Sequence, residues 1–175
     1  MGLMSEEIFD VVDASDRIIG RETRREVHRR GLFHRAVHVL VFYGSGELFL
    51  QKRALTKDTF PGAWDSSASG HLCCGEDYDA CAVCELAEEI GLKVQRPPER
   101  VFKIDACTET GQEHVWVYRC LSEGPFTLNR DEVESGGWFK PEAISRWIDE
   151  KPTDFASAFL NIWKRCQSHG RCAPG

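Results

Sequence analysis

No stretch of this chain is long and apolar enough to cross a bilayer, which takes about 20 consecutive apolar residues. The N-terminal MGLMSEEIFD carries acids and no apolar core, so no secretory leader is expected. An excess of positive charge is also missing. Twenty-two Lys and Arg against 28 Asp and Glu leave a net charge of −6, which argues against nucleic-acid polymers or anionic membranes as partners. A small anionic ligand held through a cation is still allowed. Neither a repeat nor a linker divides the 175 residues, so one domain spanning 1–175 is expected, with a frayed tail from about residue 167. Cysteine is not scarce, but the separated CxxC knuckles of a zinc site are absent. Cys73, Cys74, Cys81 and Cys84 cluster without that spacing. With no leader, a cytoplasmic location with reduced thiols is the expectation.

What is present centres on GHLCCGEDYDACAVCELAEEIGL, Gly70 to Leu92. Asp77 is placed to cap a helix and Gly91 to end it. On such a helix Glu85, Glu88 and Glu89 share one face. Like charges at these spacings cost a few tenths of a kcal/mol per pair, and a hard divalent cation would relieve the repulsion. A solvated acidic face is the alternative reading. Val83, Ala87 and Ile90 give the helix a core stripe, so the glutamates need not point inward.

Along the chain, Ile8–Val12 and Arg17–Gly20 read as strands of a small N-terminal hairpin turning at Asp13–Asp16. Residues 22–31 have helical tendency and stop at Gly31. Ala36–Tyr43 reads as a strand buried on both faces, and Glu47–Arg53 as its hairpin partner. Weaker strands are expected at Lys93–Val94 and Val101–Ile104, and a stronger one from Val115 to Leu121. Pro141 opens a helix with Ile144, Trp147 and Ile148 as its stripe. Phe155, Phe159, Ile162, Trp163 and Cys166 form the core face of a last helix. The class is α+β, with helices packed around a strand-rich core.

Gly70–Leu92 resembles the Nudix box, G-x5-E-x7-R-E-U-x-E-E-x-G-U, with U a bulky aliphatic. Gly70, Glu76, Glu85, Leu86, Glu88, Glu89, Gly91 and Leu92 match it; the pattern's arginine is Cys84 here. The resemblance implies a Nudix-type α/β/α sandwich with a mixed central sheet. It also implies a Mg2+ or Mn2+ ion held by Glu85, Glu88 and Glu89, which serve as catalytic residues, with Glu76 supporting from the loop. A thiol at Cys84 is a weak donor, so an orienting contact to the glutamates is lost. EEIFDVVDASDRIIG, HRRGLFHRAVHV, LFLQKRALTKDTFPGAWDSSASGH and ESGGWFKPEAI further resemble the branch containing isopentenyl diphosphate isomerases. Those isomerases use a cysteine before the Gly-His pair; Ser69 stands there. His28, His34 and His71 fall near their metal histidines, though ordinary hydrogen-bonded roles are expected of all three. Glu113 lies near the isomerase's downstream carboxylates.

The resulting expectation is a divalent-metal-dependent hydrolase of a nucleoside or other organic diphosphate, a small-molecule substrate. Lys52, Arg53 and Lys57 are candidates for its phosphates, Trp64 for stacking on its organic part, and His71 for a further contact. The alternatives are an isopentenyl diphosphate isomerase-type enzyme and a catalytically weakened diphosphate-binding module.

Overall fold

A computed structural model of the chain describes residues 6–170 and 172. Its strands are β1 (Ile8–Val12), β2 (Ile18–Thr23), β3 (His34–Phe42), β4 (Leu48–Arg53), β5 (Trp64–Asp65), β6 (Ala68–His71), β7 (Glu99–Ile104), β8 (Glu113–Leu121) and β9 (Val133–Phe139). Its helices are α1 (Arg24–Arg30), α2 (Tyr78–Ile90), α3 (Pro141–Glu150) and α4 (Ser157–His169). β1 and β2 pair antiparallel as the expected hairpin. The other strands form a seven-stranded mixed sheet ordered β5-β4-β3-β8-β7, with β6 on β3 and β9 on β4. β3 and β8 run parallel, and His34 lies opposite Glu113.

Alternation along β3 distributes the core to the sheet's two faces. Val37, Val39 and Val41 point to α2, where Ala82, Leu86 and Ile90 cover them. Ala36, Leu40 and Phe42 point the other way, against Ile144 of α3 and Phe159 and Ile162 of α4. This is the α/β/α sandwich that the motif implied. Among the described residues no helix is long and apolar enough to cross a membrane.

α2 begins where the Asp77 side chain accepts from the Ala80 N–H at 2.9 Å. It ends at Gly91, whose φ of 69° is left-handed, as helix C-caps favour glycine there. Its buried face differs from the one expected. Val83 and Ala87 are only half-buried, and the buried residues are Tyr78, Cys81, Ala82, Leu86, Glu89 and Ile90. One of the glutamates therefore does point inward.

Three further expectations are corrected. Lys93–Val94 is not a strand, because the chain leaves the Gly91 cap as a loop, with Leu92 and Val94 packed on the core. The C-terminal helix runs to His169 rather than fraying from residue 167; residues 171 and 173–175 lie outside the described residues. Cys166 and Cys172 are joined in a disulfide, so the expectation of reduced thiols fails at that pair, which ties Cys172 to α4.

Candidate functional site

Two clusters flank β6. The first is the carboxylate face of α2. Glu89 is 4% exposed, and its Oε2 accepts from Gln51 Nε2 at 2.6 Å and from the Ser69 N–H at 2.9 Å. β4 supplies Gln51 on the same face as Phe49, since alternate residues share a side. Beside it, Glu85 fits under the β6 backbone only because position 70 is glycine. A Cβ built on Gly70 would lie 2.0 Å from Glu85 Oε1. Burial first, then the neighbouring Glu89 and Glu88, push the Glu85 carboxyl up to about 9. Burial likewise raises Glu89 to about 7, although the Ser69 and Gln51 hydrogen bonds oppose it. Carboxylates pressed together this way repel one another more than Lys57 offsets, and their hard oxygen donors suit Mg2+ or Mn2+.

Glu88 is exposed. Glu76 accepts from the Cys73 N–H at 3.0 Å and so caps the turn before the helix. Cys84 is exposed, and the nearby Glu76, Glu88 and Glu85 add to a slight burial in raising its thiol pKa.

The second cluster joins the three histidines that the isomerase resemblance had grouped, although hydrogen-bonded roles were expected of them. His28 from α1, His34 from β3 and His71 from β6 bring a ring nitrogen each within 4.8 Å of one another. The ring centroids stand 5.1 to 5.3 Å apart, and Phe9 of the hairpin packs on all three. His34 Nδ1 lies 2.8 Å from the Leu32 carbonyl. A carbonyl only accepts, so Nδ1 carries a proton and donates it, and Nε2 is the remaining ring nitrogen. That Nε2 is buried with no hydrogen-bond partner, 3.5 Å from Glu113 Oε1. The same Oε1 lies 2.8 Å from His71 Nε2. Burial works to raise the Glu113 carboxyl, but the His71 and His34 rings outweigh it and hold it below the usual carboxylate range. Burial and the two neighbouring rings pull His28 down to about 4. Three imidazoles converging beside a carboxylate form a donor set that fits a divalent cation.

A cavity of about 270 Å³ opens beside the histidines, lined among others by Arg53, Lys57, His71 and Glu113. Lys57 contacts Glu132, and its charge also reaches Glu85 and Glu89, linking cavity and acidic face. Of the residues expected at a substrate, Arg53, Lys57 and His71 reach this cavity. Lys52 instead pairs with Glu134 at 3.2 Å on the outer edge of β4. Trp64 packs edge-on against Phe139 and Trp147 at 5.3 and 5.4 Å. That makes it a wall of the α3 core rather than a stacking platform. Alternation along β3 was the available signal for the missed residues, since His34, Ala36 and His38 necessarily share one face.

Fold and clusters together define a carboxylate-helix sandwich with a cationic cavity. The NUDIX domain family matches residues 32–159, and the chain belongs to the Nudix family. An uncharacterized Nudix hydrolase of Yersinia pestis is 31% identical over 174 residues, covering 96% of this chain and 93% of the relative. The crystal structure of DR0079 from Deinococcus radiodurans shares the fold, with a TM-score of 0.79 at 22% identity over 94% of this chain and 100% of that one. So does the NUDIX domain of Shewanella oneidensis NrtR, solved in complex with ADP ribose. Its TM-score is 0.59 at 15% identity, over 84% of this chain and 98% of that one. As a Nudix hydrolase the protein acts on phosphoanhydride bonds, and the family generally uses divalent metals.

Proposed function

We propose that the chain hydrolyses a small organic diphosphate, with Glu85, Glu88 and Glu89 holding a Mg2+ or Mn2+ ion and Arg53 and Lys57 gripping phosphate oxygens. The observation that carries this is the Glu85 carboxylate seated against Gly70 beside the buried Glu89. Such a crowded acidic group is costly unless a cation shares it. When bound, the cation neutralises phosphoryl charge and activates water. Gln51 and the Ser69 N–H orient Glu89. Arg53 is braced by Asp65 at 3.1 Å, so its guanidinium is positioned before the substrate arrives.

A further cation at His28, His34 and His71 is supported by the unpartnered His34 Nε2. It would extend the metal requirement to a second ion with a softer donor set. The isomerase reading is weaker, because the Ser69 hydroxyl is far less acidic than the thiol that chemistry uses. ADP ribose heads the test panel because a Nudix domain of this fold was solved with it.

The test is phosphate release or diphosphate cleavage across a panel of nucleoside, sugar and prenyl diphosphates with Mg2+ or Mn2+. Glu88→Gln and Glu89→Gln serve as comparisons. Cleavage that depends on both glutamates is expected. Turnover indifferent to both substitutions would remove the acidic face from the mechanism, and conversion of isopentenyl diphosphate to its allylic isomer would favour the isomerase.

A further inference from the structure

Two residues beyond Ala36 on the cavity face of β3 lies His38, 5% exposed. Its Nδ1 stands 2.9 Å from Ser66 Oγ and 3.6 Å from Asp65 Oδ1. Asp65 is itself fixed by the Ser66 N–H at 2.8 Å and by Arg53 Nη1 at 3.1 Å. The partner on one ring nitrogen decides which nitrogen carries the proton. The negative charge of Asp65, 3.6 Å away, favours the proton on Nδ1, where Ser66 Oγ accepts it at 2.9 Å, and this leaves Nε2 as an acceptor. Among the described residues no hydrogen bond engages Nε2, it is not one of the sealed polar atoms, and the residue lines the cavity. The β3–β6 register sets Ser69 directly opposite, so a second small polar group borders the same space.

Arg53 and Lys57 suit phosphate oxygens; an imidazole acceptor does not, because both would be acceptors. It suits an O–H donor. We propose that His38 is a specificity-determining residue that accepts a hydrogen bond from a hydroxyl on the organic part of the substrate, so that the cavity selects ribosyl or glycosyl diphosphates over hydrocarbon ones. This rests on the diphosphate reading above for the phosphate end. Burial keeps the ring below its ordinary pKa, which preserves the lone pair. A hydrocarbon ligand would cover Nε2 without pairing it, and sites that hydrogen-bond a substrate hydroxyl strongly reject analogues lacking one.

The experiment compares kcat/KM for ADP-ribose and isopentenyl diphosphate in the wild type, His38→Phe and His38→Gln, with thermal melts to establish folding. The wild type is expected to prefer ADP-ribose by about 100-fold or more. His38→Phe should cut that preference by about tenfold or more, chiefly through the KM for ADP-ribose. His38→Gln, whose amide oxygen accepts, should recover part of it. An unchanged preference in folded His38→Phe, or an equal fall for both substrates, overturns the proposal. Calorimetric binding of methylene-bridged, non-hydrolysable analogues of both compounds to the same proteins separates the two readings. A wild type that binds with this preference yet cleaves neither compound supports His38 and overturns the hydrolase proposed above. Binding without preference overturns His38, and binding of neither overturns both.

Discussion

Glu85 occupies the space that any side chain at position 70 would take, since a Cβ on Gly70 would stand 2.0 Å from its Oε1. Backbone and carboxylate touch there because β6 passes directly over α2. Gly70→Ala is therefore expected to displace the carboxylate but to destabilise the fold only slightly, because the displaced atoms are the free end of a flexible side chain. Metal-dependent turnover should fall by about tenfold or more, on the scale of a lost positioning contact. Melting curves and turnover measured on the same preparation check both effects. Full activity at an unchanged melting point would mean that the carboxylate has room to spare.

Cys84 stands where the family pattern has arginine, beside Glu76, Glu85 and Glu88. An arginine there would bring charged hydrogen bonds to these carboxylates. Cys84→Arg is expected to raise metal-dependent hydrolysis by about ten- to a hundredfold. Initial rates at saturating Mg2+ test this, and an equal or lower rate sinks it.

The raised Glu85 carboxyl makes stability depend on pH. Its folded-state pKa of about 9 lies above the 4.5 of the free group. Stability linked to it is therefore complete below 4.5 and lost as pH rises through about 9. His28 is depressed to about 4 from 6.5, so its contribution is complete above 6.5 and lost toward acid, outside the alkaline window. Metal-free protein is expected to melt progressively lower from about pH 7 to 9. Glu85→Gln should flatten that slope and added Mg2+ should oppose it. A wild-type slope equal to that of Glu85→Gln in the same buffers would contradict the assignment.

For the histidine cluster, titration calorimetry with Mn2+ or Zn2+ should find a site that Glu88→Gln leaves intact. His34→Asn and His71→Asn are expected to weaken that site by about tenfold or more. Identical isotherms for the wild type and both histidine variants would leave the rings as packing partners of Phe9.

Much of the fold was legible because its signals are local. The alternation of β8, the Asp77 and Gly91 caps and the hairpin turn each lie within a few residues of what they determine. The stripe of α2 was read out of phase because Val83, Ala87 and Ile90 sufficed for a core face without Glu89. A buried glutamate becomes tolerable only when Gln51 and the Ser69 backbone meet it, and neither partner is near in sequence. For Trp64 the sequence left stacking and core packing both open, since its neighbours Phe139, Trp147 and Phe155 come from the far end of the chain. The glutamates were visible because one helix carries them all. The histidines were grouped only through the isomerase resemblance, because α1, β3 and β6 meet through tertiary pairing that no local pattern shows.

The parallel register that sets His34 opposite Glu113 bears on how the protein acquires its shape. Strands that pair in parallel from distant parts of a chain close a long loop before any contact rewards it, which slows folding. The cavity walls therefore complete late, after the hairpin and α2 can already exist. A ligand or ion bound in the cavity recognises the finished molecule and not its partly folded precursors. Such an occupant would act as a check on completed folding, holding the native state against reopening in proportion to its free concentration.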